Sequence, residues 1–175
     1  MTGAARRLAA HVLAAALALG LAACSTLQPA PPAPAEFAGR LSVKVESDPP
    51  HAVAAAFELR GTPQAGQLDL ATPLGSLMAR ARWSPAEVVL ATPNEEKAYP
   101  DLDALTRAVL GESLPVPALF DWLRGRPWDG APSERLADGF AQLGWTVSLA
   151  QFAQGAIEAR RTQAPPVTVR ARLER

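Results

Sequence analysis

The chain has 175 residues, of which 17 are basic and 17 are acidic, so its formal net charge at pH 7 is zero. This length is sufficient for one domain with a sizeable hydrophobic core, and a balanced charge argues against nucleic-acid binding. The single cysteine excludes a disulfide bond within the chain.

The first 23 residues have the pattern of an export signal. Arg6 and Arg7 precede a stretch rich in Ala and Leu, which ends in small residues just before Cys24. The stretch is too short and too rich in Ala to favour a stable transmembrane helix. We therefore expect residues 1–23 to be a signal peptide. Its removal would leave 15 basic residues against 17 acidic ones, a net charge of −2.

The sequence Leu-Ala-Ala-Cys that ends at Cys24 resembles the bacterial lipobox. In that motif the cysteine thiol accepts a diacylglyceryl group, and cleavage leaves the cysteine as the first residue. The resemblance implies that Cys24 is lipidated; the alternative is a buried or accidental cysteine. The following Ser25 differs from the Asp that retains enterobacterial lipoproteins in the inner membrane, so the resemblance implies the outer membrane, facing the periplasm.

A proline-rich tract follows Cys24. Such tracts favour an extended backbone and contribute no core, so we expect residues 24–36 to be the lipidated cysteine and its tether. The folded domain is expected to cover residues 37–175 as one unit.

Alternation of apolar and polar residues predicts several strands in this domain. The connections between the early strands are too short for crossover helices, which indicates an antiparallel meander. The predicted strands cover residues 37–46, 53–60, 68–71, 77–81, 87–92, 145–150, 156–161 and 167–174.

Two short helices are predicted between the strands. Asp101 is a good N-cap for the first, and Gly111 fits its C-terminal end. Pro117 suits the first turn of the second, which should end at Gly125. The expected apolar faces are Leu102, Leu105 and Val109 on the first helix and Leu119, Trp122 and Leu123 on the second. From Pro127 an irregular connection is expected.

Strands, then two helices, then strands predict a mainly β (α+β) fold, with a strongly curved antiparallel sheet and helices across one face or mouth. The apolar face of this sheet allows two interpretations. The helices could fill an ordinary packed core, or the sheet could enclose a partly empty apolar cavity. The pattern alone favours the packed core.

Catalytic residues are poorly represented. His51 is the only histidine after the signal segment, and no Gly-x-Ser-x-Gly or phosphate-binding motif is present. The acidic residues Glu95, Glu96, Asp101 and Asp103 suit the start of a helix. We expect no catalytic residue, metal or cofactor, although a hydrolase that uses carboxylates stays open as an alternative.

Four segments resemble the LolB family of outer-membrane lipoproteins: FAGRLSVK from Phe37, LDLATPLGSL from Leu68, LPVPALFDWLRGRP from Leu114 and LGWTVSL from Leu143. The resemblance implies an incomplete antiparallel barrel that is lidded by short helices and encloses an apolar cavity. It also implies a monomer that is not an enzyme. This monomer would accept the acyl chains of lipoproteins from the periplasmic carrier LolA and insert them into the outer membrane. A tethered structural or adaptor lipoprotein with a packed core is the alternative.

The expected cavity wall and lid follow from the apolar faces of the strands and of the second helix. The residues assigned to them are Phe57, Leu70, Leu77, Trp122 and Leu123.

The segment Thr72-Pro73-Leu74-Gly75 predicts a tight turn at a hairpin tip, because Pro presets its own φ and Gly tolerates a positive φ. A leucine is unexpected where polar residues normally face water. The resemblance implies that Leu74 enters the membrane and passes cargo into it. The alternative is a leucine that folds back onto the core.

Overall fold

The computed structural model describes residues 36–174. The predicted signal peptide, Cys24 and the tether up to residue 35 therefore lie outside the described residues. The first strand begins at Phe37, where the folded domain was expected to begin.

The described residues form eleven strands, two α-helices and one 3₁₀ turn. In chain order they are β1 (Phe37–Val45), β2 (His51–Gly61), β3 (Gly66–Ala71), β4 (Leu77–Trp83), β5 (Val88–Ala91), β6 (Glu96–Tyr99), α1 (Leu102–Leu110), α2 (Val116–Leu123), β7 (Ser133–Leu136), β8 (Gly139–Gln142), β9 (Trp145–Ser148), the 3₁₀ turn Phe152–Gln154, β10 (Ala156–Arg161) and β11 (Val167–Leu173).

All eleven strands belong to one antiparallel sheet, in the order β6-β5-β4-β3-β2-β1-β11-β10-β9-β8-β7. The first and last strands meet at its centre, where Val43 lies opposite both Val53 and Val169. Among the described residues β6 and β7 are the two edges, so the sheet is not closed into a barrel. The predicted mainly β, incomplete antiparallel architecture is confirmed.

The register of the strands sorts the connections onto two opposite edges of the sheet. One edge, called the tip rim here, carries the turns at 46–50, 72–76, 92–95, 143–144 and 162–166. The opposite edge, the base rim, carries Glu36 and the turns at 62–65, 84–87, 137–138 and 149–155.

The sequence pattern did not predict three of the short strands. β6 was assigned to the approach to the first helix, and β7 and β8 fall within the expected irregular connection. All four residues of β7 are exposed, so it has no apolar alternation to reveal it. Both edge strands carry charges, which is typical of strands that must not pair with another molecule.

The first helix has the predicted ends. The Asp101 carboxylate accepts a hydrogen bond from the Ala104 backbone N–H at 2.6 Å, and Gly111 has a left-handed φ of 80°. The assignment of Val109 to the buried face was wrong, because Val109 is 41% exposed. Leu110 is buried instead, since the last turn of α1 packs against a different part of the core from Leu105.

The core has two clusters, and both contain residues of the two helices. The N-terminal cluster contains Phe57, Leu59, Ala81, Trp83, Val88, Leu105 and Phe120. The C-terminal cluster contains Val43, Val45, Leu110, Leu114, Ala118, Trp122, Phe140, Trp145, Val147, Ile157, Ala159 and Val167. Because α2 contributes Phe120 to one cluster and Trp122 to the other, it joins the two halves of the sheet.

Candidate functional site

The tip of the β3–β4 hairpin is the tight turn that the sequence predicts. The Gly75 N–H donates to the Thr72 carbonyl oxygen at 2.9 Å, and the Ser76 N–H donates to the Thr72 hydroxyl at 3.2 Å. Gly75 has a φ of 85°, and a side chain there would meet open space, so the glycine is needed for its backbone angle. Leu74 occupies the third position of this turn and is 95% exposed. The alternative in which Leu74 folds back onto the core is therefore wrong.

The end of this hairpin is apolar over more than one residue. From Leu70 to Ala79 the sequence has no charged side chain, and Leu77 and Met78 are 44% and 40% exposed. The pairing between β3 and β4 shifts after Leu70, so that Ala71 lies opposite Leu77. Such a shift turns the side chains beyond it to new directions.

A network of charged and polar side chains lies where the apolar end of this hairpin begins. The Asp69 carboxylate accepts two hydrogen bonds from the Arg80 guanidinium, at 2.6 and 3.0 Å, and one from Arg60 at 3.2 Å. The Gln67 amide donates to the same carboxylate at 2.9 Å. A two-point arginine–carboxylate pair has a fixed geometry, so this network holds β3 and β4 in register just before the tip.

Burial of the Asp69 carboxyl opposes its ionisation. The hydrogen bonds from Arg80 and Gln67 and the nearby positive charges outweigh this effect, so the pKa of Asp69 lies below its ordinary value of 3.8. The bond to Asp69 correspondingly raises the pKa of Arg80. The Asp69–Arg80 pair is therefore charged on both sides at neutral pH.

The five residues predicted for the cavity wall and lid lie in three different environments. Phe57 is buried in the N-terminal cluster, and Leu70 and Leu123 pack against it. Trp122 is buried in the C-terminal cluster, which Leu123 also contacts. Leu77 lies near the exposed tip, and neither cluster includes it. The structure thus brings together Phe57, Leu70 and Leu123, with Trp122 on the adjacent side of α2.

The interior beneath α2 is filled by two aromatic side chains. Phe120, which sequence reasoning missed, is 0% exposed and meets the Trp83 ring edge-on at 6.1 Å. Trp122 is 1% exposed, and its ring centre lies 6.3 Å from that of Phe140 and 6.0 Å from that of Trp145. The Trp83–Phe120 and Trp122–Phe140 pairs are edge-to-face, and such pairs are favourable beyond their buried area. Phe120 could have been found from its position two residues before Trp122, on the other side of the same short helix.

A buried glutamine fixes the position of α2. The Gln142 side-chain oxygen accepts hydrogen bonds from the Trp122 indole N–H and the Trp128 backbone N–H, both at 2.9 Å. Its amide nitrogen donates to the Trp128 and Ala131 carbonyl oxygens, both at 2.7 Å. Gln142 therefore connects the helix, the following loop and β8. No motif in the sequence indicated this residue.

Residues 121–126 end α2 in a defined conformation. The buried Asp121 carboxylate accepts hydrogen bonds from Arg126 at 2.6 Å and from Arg124 at 3.3 Å. Arg124 also binds Glu36 and lies over the Phe37 ring. Gly125 has a φ of 76°, and a side chain there would collide with the Phe152 ring. These contacts connect the end of α2 to the first residues of the described domain.

Two open clefts are present in the part of the chain that the structure describes, and both lie away from the five predicted residues. The first has a volume of about 570 Å³, and its walls include Arg40, Arg170 and Arg172 on the outer face of β1 and β11. The second, of about 680 Å³, is lined by Arg135 and Phe140 among others.

The candidate catalytic side chains are dispersed. His51 begins β2 and is exposed, Glu96 forms an ion pair with Arg82 at 3.3 Å in the edge of the sheet, and Asp101 caps α1. Over residues 36–174, no three His, Cys, Asp or Glu side chains are grouped closely enough to hold a metal ion. In the same range, no helix has the length and apolar character needed to cross a bilayer.

The fold and this site define a mainly β domain built as an unclosed antiparallel sheet, with two helices on its apolar face and one exposed apolar hairpin. Residues 34–173 match the family described as Outer membrane lipoprotein LolB, and the chain belongs to that family. Membership places it among the outer-membrane lipoproteins.

Several relatives carry the same description, Outer-membrane lipoprotein LolB. The chain is 37% identical to the protein of Bordetella petrii over 154 residues, which cover 80% of this chain and 77% of the relative. It is 32% identical to the protein of Cupriavidus necator over 171 residues, covering 89% and 86%. The protein of Chromobacterium violaceum is 33% identical over 147 residues, covering 78% and 80%.

Proposed function

We propose that this protein accepts the acyl chains of lipoproteins from a periplasmic carrier of the LolA type and inserts them into the outer membrane. The observation that carries the proposal is Leu74, which is 95% exposed at the tip of an uncharged hairpin. Transfer of one leucine side chain from water to hydrocarbon gains about 1.5–3 kcal/mol. Folding gains nothing from this leucine, so its benefit must come from a contact outside the domain.

A lipid on Cys24 would supply the permanent attachment. Two or more acyl chains anchor a protein stably, since each buried CH₂ contributes about 0.8 kcal/mol. The contact made by Leu74 then needs only to bring the tip rim against the bilayer repeatedly and reversibly. A single leucine has the right strength for this purpose, because it is too weak to hold a protein at a membrane.

Cargo acyl chains require shielding on their way through water. Each exposed CH₂ costs about 0.8 kcal/mol, and the apolar side chains of the N-terminal cluster offer such shielding. We place the acyl site between α2 and the sheet, along Phe57, Leu70 and Leu123, with Trp122 on its far side. Because Phe120 fills this space, the acyl chains must displace its ring or move α2.

Transfer of this kind needs no chemical step. The acyl chains pass from a weaker carrier to this acceptor and then to the bilayer, which is the most favourable environment for them. The protein would therefore act as a monomer without nucleotide, metal or cofactor, and not as an enzyme. Its binding of cargo must stay moderate so that release into the membrane remains favourable.

A second candidate is a tethered structural or adaptor lipoprotein, and the filled interior favours it. Phe120 and Trp122 are 0% and 1% exposed, as in an ordinary packed core. An apolar fluorescent dye separates the two functions. The transfer protein should take up the dye and release it when lipoprotein acyl chains compete, whereas a fixed core should bind none.

The decisive experiment follows a labelled lipoprotein from a loaded carrier to this protein and then to liposomes. Leu74→Glu should accept the label normally and fail to deliver it, because a carboxylate resists entry into hydrocarbon. Leu74→Phe should retain most of the delivery. Failure of the unmodified protein to accept the label would instead favour the adaptor.

A further inference from the structure

A second leucine is exposed on the tip rim, in the turn between β8 and β9. Gln142 and Trp145 are the last paired residues of this hairpin, so Leu143 and Gly144 form a two-residue turn. Both have positive φ values, 54° and 77°. Positive φ at both central positions is the type I′ geometry that tight hairpins favour.

Leucine is a poor choice for the first position of such a turn. That position favours Asn, Asp or Gly, because other side chains approach the backbone too closely when φ is positive. Leu143 is the only non-glycine residue with a positive φ among residues 36–174. Its side chain is also 46% exposed. The residue thus combines backbone strain with apolar exposure, and neither benefits the fold.

The surroundings of Leu143 resemble those of Leu74. The sequence from Gly139 to Ile157 has no charged side chain, so the whole β8–β9 hairpin is uncharged, as is the end of the β3–β4 hairpin. Both turns lie on the tip rim. Four strands separate the two hairpins within the sheet, namely β2, β1, β11 and β10, which corresponds to a path of about 24 Å along the sheet at ~4.8 Å per strand.

We propose that Leu143 is a second membrane contact and that lipid bilayer is its partner. This inference rests on the proposed membrane role of Leu74 and extends it. One exposed leucine lets the domain pivot about a single point, whereas two leucines on separate hairpins hold the tip rim facing the bilayer. The turn between β1 and β2 lies between them and carries Glu46 and Asp48, whose charges restrict the contact to the two hairpin tips.

The strain at Leu143 provides a test that separates function from folding. Leu143→Asn suits the left-handed turn, so the variant should melt at the same temperature as the parent or higher. Delivery of labelled lipoprotein to vesicles of phosphatidylethanolamine and phosphatidylglycerol should slow by about three- to tenfold, because roughly half of a leucine surface is lost from the contact. Leu136→Asn is the matched control, since Leu136 is 37% exposed next to a turn of the base rim, and it should deliver normally.

Contact of each position with the bilayer can be measured directly. A fluorescent amino acid replaces Leu143, Leu74 or Leu136 in the full, membrane-anchored protein. Brominated lipids should quench the probes at 143 and 74 and leave the probe at 136 bright. Quenching at 74 without quenching at 143 overturns this inference and leaves the proposed function intact. Absence of quenching at both positions overturns the membrane role of Leu74 as well. Unchanged delivery by a well-folded Leu143→Asn protein would also contradict the inference.

Discussion

Large apolar side chains at the hairpin tip and under α2 lie in opposite environments. Leu74 is 95% exposed in a turn that would form equally well with a polar residue, whereas Phe120 and Trp122 are 0% and 1% exposed and are fixed by ring contacts. The comparison separates two kinds of constraint. Packing determines the residues under α2, whereas we propose that a contact outside the domain determines the residue at the tip. Substitutions in the two regions should therefore differ in what they damage.

The largest loss of stability is expected under α2. Trp122→Ala removes a buried ring that meets Phe140 and Trp145 and leaves the Gln142 oxygen without its indole donor. The free energy of unfolding should fall by about 3–5 kcal/mol, as measured by denaturant titration. Leu77→Ala, at an exposed position, is the control and should change it by less than about 1 kcal/mol. A small loss at Trp122 would indicate that the interior is loosely packed and already resembles an open acyl site.

A smaller loss of stability is expected when the buried Gln142 is replaced. Gln142→Met keeps the approximate shape of the side chain and leaves two donors and two carbonyl oxygens without their partner. Each unsatisfied buried group costs about 1–3 kcal/mol, partly offset by relaxation, so a net loss of roughly 2–3 kcal/mol is expected in the same titration. Unchanged stability would mean that water replaces the amide, and that Gln142 does not fix α2.

A still smaller loss of stability, which depends on pH, is expected when Asp69 is replaced. The folded pKa of Asp69 lies below 3.8, so its ion pairs contribute stability above about pH 4. This contribution is lost as the pH falls through the folded pKa. Asp69→Asn should therefore be less stable than the parent at pH 7, and the difference should shrink below pH 4. Thermal melting of both proteins across this range measures the effect; a constant difference would exclude the carboxylate charge as its source.

Strand alternation in the sequence predicted most of the sheet, because the inward-facing apolar side chains of β1, β2 and β11 recur two residues apart. The two-residue period is strong only where one face is buried. The exposed edge strand β7 has no such contrast, and neither alternation nor composition could reveal it. Val109 was misassigned for a related reason. Helical spacing predicts one continuous apolar face, but it does not specify which residues of the last turn contact the core.

The sequence likewise predicted only part of the candidate site. Turn chemistry predicted the tip at Leu74, because Pro73 and Gly75 act through their own backbone angles. Leu77 was assigned to the interior by counting alternate residues, and the shift in pairing beside Ala71 invalidates that count. Gln142 depends on contacts between distant segments, which a single sequence does not encode locally. Phe120 differs, because its place in the same short helix as Trp122 was a signal that the sequence did contain.

Substitution of Leu74 is expected to have the smallest effect on stability and the largest effect on function. The measurement that tests this most directly compares Leu74→Glu with the parent protein in melting temperature, uptake of labelled lipoprotein from a loaded carrier, and delivery to liposomes. We predict an unchanged melting temperature, normal uptake and loss of delivery. Normal delivery by the well-folded variant, or a lowered melting temperature together with impaired uptake, would contradict the proposed role of the hairpin tip.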